Sequence, residues 1–544
     1  MFFLKQVLPI STEDVFHRLL RATTAFYLVF PTLFFAYGWL KWPFNFITVL
    51  LIMFFLVYTT KDIYITVKYL WENQREYIYT RKTIGWVIAT TLTIITWLSF
   101  SGIGGIGYQN DDYRAKNALF NDLINQSFPL TATFSGVTTK IVYYYNYYLP
   151  SVAMGKIFGW KIANFSIFLW SLVGIMLAFA WFLTISQVSL RKKTYKLFPL
   201  ALIFCLAGGL DFIGAYIFKD LSFSWSRHIE FWVEYYQYSS NTTLVYWAPQ
   251  HAIPAWLLTG MVVTSIYKTQ NLKYIAMSIA ASILWSPFAI IGIFPYLIVL
   301  LFSYILSSQK RFFIFNSVSN TFNIIALWTG GLYLLYIESN SFSFPITVMW
   351  KVIENKRHFV ATLLKFWFVE FGLLTFFVAT YLLIHFFVYM SKNKKDSVSL
   401  WQNWLEALNK NFNIGSRQFG VFILSLAILI ALPFFKMGIF NDLVMRGSIS
   451  ALFVFWAIIS KIILDTNIRP YSQLRLDIGY FFILVTLIIG FLTGYSEIVR
   501  SVENYKFGPP SSASVSSLGN EDRLELVNQR AGKDNTFFYR YIGK

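Results

Sequence analysis

Long apolar runs separated by short polar stretches organise this chain. Runs near twenty residues recur at roughly 23–40, 44–61, 83–102, 163–187, 197–217, 250–267 and 274–288. Others follow at 291–307, 317–337, 361–390, 418–436, 447–465 and 475–495. About twenty consecutive apolar residues form a helix long enough to cross the hydrocarbon core of a bilayer. The pattern therefore predicts an all-α fold, a polytopic transmembrane helical bundle of about thirteen spans. The stretch 274–307 is one apolar run broken by Pro287 and Pro295. Lys273 flanks it on one side and Lys310-Arg311 on the other, so it reads as a tight hairpin returning to the side it left.

The polar stretches set an orientation. Lys61, Lys68, Arg75, Arg81 and Lys82 crowd one loop, Arg191, Lys192, Lys193 and Lys196 another, and Lys392, Lys394 and Lys395 a third. All three fall on one side of the predicted spans, as the excess of Lys and Arg in cytoplasmic loops requires. The expected arrangement is a cytoplasmic amphipathic N-terminus (1–22), a transmembrane domain (23–495) and an extracytoplasmic linker and tail (496–544), in a multi-pass plasma membrane protein. No cleavage pattern follows the first apolar run, so no processing is expected.

Loops 103–162, 218–249, 338–360 and 437–446 are then extracytoplasmic. The first is about 60 residues long, and connections of that length are functional or disordered. Asn117-Ala-Leu-Phe-Asn-Asp-Leu-Ile suits an amphipathic helix, and Tyr143-Tyr-Tyr-Asn-Tyr-Tyr-Leu-Pro suits a membrane interface, where a tyrosine ring is apolar and its hydroxyl wet. The loop is expected to carry interfacial helices. The tail opens with Pro509-Pro-Ser-Ser-Ala-Ser-Val-Ser-Ser-Leu-Gly, which reads as a flexible linker. It ends in Phe537-Phe-Tyr-Arg-Tyr-Ile-Gly-Lys, read either as a loosely ordered terminus or as a segment docked at the outer mouth of a site.

Composition agrees with this picture. Only 13% of residues are charged, against about 25% in soluble domains. The net charge of +19 is spread over short loops, with no basic stripe on a soluble domain, which argues against nucleic-acid binding. The single cysteine, Cys205, excludes an intrachain disulfide or a cysteine metal site. No Walker loop, GxSxG elbow, HExxH or paired CxxC is present, which argues against nucleotide hydrolysis, serine hydrolysis and zinc chemistry. No internal repeat of fixed period is found.

Four constellations could carry chemistry. Asp111 and Asp112 follow Gly102, Gly104, Gly105 and Gly107, which allow a sharp turn at the end of a span. One aspartate could be a general base or metal ligand positioned by the other; the alternative is a solvated turn. In Asn441-Asp-Leu-Val-Met-Arg, Asp442 and Arg446 share a helical face, either as an ion pair or as an arginine fork for a phosphate. Asp211 lies in the outer half of a span, facing a polar cavity or a structural partner such as a buried tyrosine. Gln250 and His251, in Trp247-Ala-Pro-Gln-His, stand at the mouth of another span, where the histidine could contact a phosphate, shuttle a proton or serve structure alone. Arg227 and His228 precede them, and Glu230 with Glu234 reads as the wet face of a helix. Glu370 with Lys365 and Arg357 reads as a snorkelling charge group or a weaker site.

These motifs resemble the GT-C superfamily of integral-membrane glycosyltransferases. The resemblance rests on Gln109-Asn-Asp-Asp-Tyr-Arg early in a long first outer loop, the tyrosine-rich segment with Tyr143, Trp247-Ala-Pro-Gln-His251, and Asn441-Asp442 with Arg446. It covers roughly residues 20–495 and implies a sugar donor on a polyprenyl phosphate and a glycan, lipid or protein acceptor on the extracytoplasmic side, building a cell-envelope glycan. It also implies Asp112 or Asp111 as the base. Arg446 would hold the departing phosphate, with Arg227, His251, Asp211, Asp442, Tyr143 and Gln250 around the substrate. Some members use a divalent cation and others do not. A transporter, flippase or polymerase for lipid-linked glycans is the competing expectation; a transporter should show broken helices or repeated halves.

Overall fold

The structure, a computed structural model, describes residues 12–73, 81–134, 137–190, 193–268, 272–305, 320–341, 345–392, 399–438, 440–465, 474–520, 530–533 and 535–544. Arg75, Arg191, Lys192, Lys310, Arg311, Lys394 and Lys395 lie outside them, as do residues 1–11. The chain is an all-α, polytopic helical bundle. Among the described residues nine helices are long and apolar enough to cross a membrane, and the sheet content is two two-stranded pairs.

Helices occupy the described parts of all thirteen apolar runs, and the stretches 197–217 and 274–307 are each divided. The run 197–217 breaks after Leu197–Leu206, where Gly208 packs against the backbone of Gly490 and Gly209 against the side chain of Glu370. The run 274–307 forms Ile275–Ser282 and Pro287–Ile305, joined by an irregular stretch at 283–286. Its start lies beside Tyr58 and Asp62, with Lys273 donating to the Tyr58 hydroxyl at 2.9 Å. Its far end brings Tyr304 near Arg21 of the first helix, so both ends lie on one face, as a hairpin requires. The amphipathic helix Leu400–Phe412, capped by a Ser399/Gln402 box, was not foreseen in its loop. Its capping residues satisfy two backbone N–H groups that would otherwise be orphaned.

Aromatic side chains fill the interior. Trp39, Trp181, Trp256 and Trp285 are fully buried, and glycines let helices approach them: a Cβ on Gly260 would lie 2.2 Å from the Trp181 ring. In lipid, helices gain little from hiding apolar surface from one another, so close packing of this kind drives their association.

Loop contacts sort the bundle into two faces. On one, Ile106 pairs with Phe507, Ile141 with Ala531 and Asn340 with Gly532; Thr347–Val348 pairs with Phe435–Lys436, and the Asn441 amide donates to Tyr235 O at 3.1 Å. These are the loops expected to share a side, together with the tail. On the other face Lys196 meets Asp465 at 2.5 Å, Arg18 pairs with Asp62, and Arg417 donates to Tyr267 O at 3.0 Å.

The long loop differs from expectation inside. Its first helix, Asp112–Asn125, begins five residues before the expected one, at the aspartate pair itself. A hairpin follows, Thr131–Phe134 with Val137–Lys140, and then the helix Leu149–Phe158. Between them the tyrosine segment is irregular over 142–145 and turns at 146–148, entering the bundle. Tyr145, Tyr147 and Tyr148 are buried, and Asn146 N donates to Leu284 O at 3.0 Å in the hairpin break. The tyrosines therefore plug the bundle instead of lining a lipid surface, with the Asn146 amide also donating to Ala281 O at 3.0 Å.

Candidate functional site

The site is assembled from the glycine turn upward. Gly104 (φ +64°) lies against the backbone of the Trp160–Ser186 helix, where a Cβ would meet Asn164 O at 2.3 Å. Gly105 (φ +76°) lies against the tail, where a Cβ would meet Pro509 N at 2.2 Å. Both the left-handed conformation and the missing side chain are needed here. Asn110 then locks the exit from the turn: its side-chain oxygen accepts from Asp112 N at 3.1 Å and its amide donates to Tyr246 O at 3.1 Å. The buried Tyr113 donates its hydroxyl to Ser101 O at 3.1 Å. Asp112 thus opens the Asp112–Asn125 helix on a fixed backbone with its side chain exposed, where the helix dipole favours a carboxylate.

Cations face it. Lys116, one turn along the same helix, donates to Trp247 O and lies 4.6 Å from the centre of the Tyr113 ring. Arg446 pairs with Asp442 at 3.1 Å, sits 5.3 Å above the Phe288 ring and donates to the Tyr144 hydroxyl at 3.4 Å. That hydroxyl also lies 3.4 Å from Nε2 of His251, whose Nδ1 is 2.7 Å from Ser286 Oγ. Asp112 is within electrostatic reach of both Lys116 and Arg446. Burial pushes the Lys116 ammonium down to about 8; Asp112 opposes this, and Arg446 and Arg530 add to it. Beside Lys116 lies a small cavity of about 20 Å³, room for about one water, lined in part by Ile103, Phe120, Tyr147, Tyr148 and Ile167. Lys116, Asn117 and Asn164 give its wall a polar part, and the remainder is aromatic and aliphatic.

The structure brings Asp112, Asp442, Arg446, His251 and the stacked pair Tyr143–Tyr144 (ring centres 3.9 Å apart) into one cluster. Asp111 precedes the helix, exposed, and its side chain makes no capping bond. Gln250 is buried beside His251 in sequence, and its Oε1 meets no donor among the described residues. Arg227 lies apart, donating to Ser222 O at 3.0 Å and Ser222 Oγ at 3.1 Å. Asp211 also lies apart, accepting from the Trp232 indole at 3.0 Å and interacting with Glu370 and Glu230.

Two pairings read from the sequence are corrected here. Glu230 is not on a wet helical face: it is buried in a non-helical stretch and accepts from Ser240 N at 2.9 Å and Thr243 Oγ1 at 2.7 Å. Glu370 does not snorkel with Lys365 and Arg357; a π-helical turn, Phe368–Gly372, directs it inward to Asp211. Such one-residue insertions rotate a side chain away from the face that ordinary helical spacing implies.

No family model, curated protein or solved structure matches this chain. The site therefore has to be read from its own geometry. Sequence reasoning missed Lys116, Ser286, Phe288 and Arg530. Lys116 carried a usable signal, its spacing of four from Asp112; the other three arrive by tertiary contact alone. Among the described residues no group of three or more His, Cys, Asp or Glu side chains is placed to hold a metal ion.

A second polar cluster adjoins the first through Trp247. Glu497 accepts from the Trp247 indole at 2.9 Å and from His228 at 2.7 Å, while Arg500 stacks over Trp247 and Tyr108 at 5.1 and 5.4 Å. Burial disfavours the His228 imidazolium, but the bond to Glu497 and its charge outweigh burial and hold the histidine above its ordinary 6.5. A raised folded-state value means the pair stabilises fully below pH 6.5 and progressively less as pH rises through that value. Thermal unfolding in detergent should therefore show the wild type losing stability above pH 6.5 relative to His228→Gln. Parallel pH profiles for the two proteins would remove the pair as a stabilising element.

Proposed function

We propose that the protein is a membrane glycosyltransferase that moves a sugar from a polyprenyl-phosphate donor to an extracytoplasmic hydroxyl, with the site face turned away from the cytoplasm. One observation carries this reading: the exposed Asp112 opens the helix that carries Lys116 one turn on, and lies within electrostatic reach of Arg446, which Asp442, Phe288 and Tyr144 hold. A lipid-linked phosphate needs cations of this kind for its head group. Asp112 takes the proton from the acceptor hydroxyl, whose oxygen attacks the anomeric carbon. The bond from that carbon to the phosphate oxygen breaks, and its electron pair leaves on the phosphate. Arg446, rigidly held by Asp442, Phe288 and Tyr144, is placed to stabilise this developing charge.

Transport of a lipid-linked glycan is the second reading. It is favoured by the helical run broken after Leu206, next to the buried Asp211. The two readings separate in one assay. In liposomes carrying a labelled polyprenyl-phosphate sugar, a transferase consumes the donor and releases polyprenyl phosphate, slowly to water and faster with acceptor. A flippase exposes the label on the other leaflet and leaves the donor intact. Arg446→Gln should slow donor consumption by about 10²–10³-fold, the loss typical of one electrostatic contact to a developing charge. Intact donor moving across the bilayer at the wild-type rate would replace the transferase reading with the transport one.

A further inference from the structure

One turn of the last membrane helix, Leu474–Glu503, touches both halves of the site's scaffold. Glu497, Arg500 and Ser501 lie at i, i+3 and i+4 and so share one of its faces. Ser501 Oγ donates to Phe100 O and accepts from Tyr108 N at 3.2 Å, which ties that face to both ends of the glycine turn. Glu497 Oε2 accepts from the Trp247 indole at 2.9 Å, which ties it to the helix Asn241–Trp247. The Arg500 guanidinium bridges the two, 5.4 Å from the centre of the Tyr108 ring and 5.1 Å from that of Trp247. The chain beyond this helix continues the grip. Gly107 N donates to Lys506 O at 3.1 Å, the Trp160 indole to Pro510 O at 2.9 Å and Val142 N to Arg530 O at 2.8 Å. The segment read as a flexible linker is thus packed along the long loop.

The helix Asn241–Trp247 receives the site from the other side. The last carbonyls of a helix have no intrahelical donor and favour cations and N–H groups. Here Tyr246 O accepts from the Asn110 amide at 3.1 Å, and Trp247 O accepts from the Lys116 ammonium. Asn110 is the residue whose side-chain oxygen holds Asp112 N at 3.1 Å. Two neighbouring carbonyls therefore set where Asp112 and Lys116 stand. The start of this helix is fixed by the buried Glu230, which accepts from Ser240 N at 2.9 Å. Its last residue, the half-buried Trp247, has Glu497 as the acceptor for its indole N–H. His228 holds the other oxygen of that carboxylate at 2.7 Å, so the acceptor has little freedom to turn.

We propose that Glu497 is a positioning residue: through the Trp247 indole it fixes the carbonyl that holds Lys116 and, next to it, the carbonyl that holds the Asn110–Asp112 turn. This rests on the reading of Asp112 and Lys116 as parts of a transferase site. It adds the last membrane helix as the element that sets the spacing of those two groups.

The test uses the full chain in detergent. Labelling with acetic anhydride, read by peptide mass spectrometry, reports how firmly Lys116 is held, with the exposed Lys351 as internal reference. Initial rates with a polyprenyl-phosphate sugar give kcat and KM. Trp247→Phe deletes the indole N–H and keeps a ring for Arg500. It should raise Lys116 labelling several-fold against Lys351 and lower kcat about tenfold or more, since a displacement of about 1 Å can cost about 10²-fold. KM should stay within a few-fold, because the contacts of Arg446 to Asp442, Phe288 and Tyr144 are untouched. Glu497→Ala should match it, and the double variant should be no worse than either single one, as residues acting in one chain of contacts require. Glu497→Gln keeps an oxygen for the indole and an N–H for His228, and should stay close to wild type in both readouts. Unchanged labelling, or transfer at the wild-type rate, in Trp247→Phe would end the positioning proposal and leave the glycosyl-transfer reading untouched. Labelling raised as expected in a protein whose wild type consumes no donor would keep Glu497 as the holder of Lys116 and remove the transferase reading.

Discussion

Replacing Asp112 by Asn is expected to lower sugar transfer from a polyprenyl-phosphate donor by about 10²–10⁴-fold, the usual contribution of a positioned general base. The protein should still fold and insert. Asn has nearly the shape of Asp, and the bonds that fix this position run through its backbone N–H to Asn110 and through the neighbouring Tyr113 hydroxyl to Ser101 O. Loss of activity with an unchanged melting temperature would therefore report on chemistry. Asp111→Asn serves as the internal control, because Asp112 is the aspartate whose charge acts on Lys116 and Arg446. It should retain activity within a few-fold. Full transfer by the Asp111→Asn/Asp112→Asn double variant would end the glycosyl-transfer reading, since no other exposed carboxylate of the long loop faces the cationic cluster.

A second large effect is expected from Gly104→Ala. The left-handed conformation costs an alanine about 1–2 kcal/mol, and overpacking adds about 1–3 kcal/mol. Here the obstructing atom is Asn164 O, a backbone carbonyl of the Trp160–Ser186 helix that cannot swing aside. The turn should lose its seat on that helix, lowering the melting temperature and displacing Asp112, so that stability and transfer fall together. Gly85 lies in the helix Arg81–Leu98 with nothing near the Cβ it would gain, so Gly85→Ala should be neutral or mildly stabilising. Equal melting temperatures for the two alanine variants would show that the turn does not require glycine at 104.

The two effects illustrate what the sequence could convey. Hydrophobic run length marks a membrane helix locally, so the all-α, multi-pass architecture and the grouping of loops on two faces were legible. The glycines ahead of Asp111 were legible as a turn, because positive φ is a property of the residue itself. The interior of the tyrosine segment was not. Its burial involves the carbonyls of Ala281 and Leu284, more than 130 residues away, which no local pattern records. Glu370 was misplaced for a related reason: a single π turn shifts its direction, while any helical-wheel argument assumes regular spacing. Arg530 looked like one more charge in a polar tail, since its partner ring is Tyr143 and the pairing exists only after the tail has crossed the loop.

The separation in the chain between Asp112 and Arg530 also has a consequence for synthesis. About 400 residues lie between them, and at 5–20 residues per second a ribosome needs roughly 20–80 s to cover that interval. For most of it the first loop has Lys116 but neither Arg446 nor Arg530, and the backbone of Val142 and Lys140 stays unpaired by the tail until the end. The nascent protein must therefore wait with an open loop that closes only when distant residues emerge. A ribosome stalled after the last span would leave in the bilayer a bundle with its helices in place and this loop still unsealed.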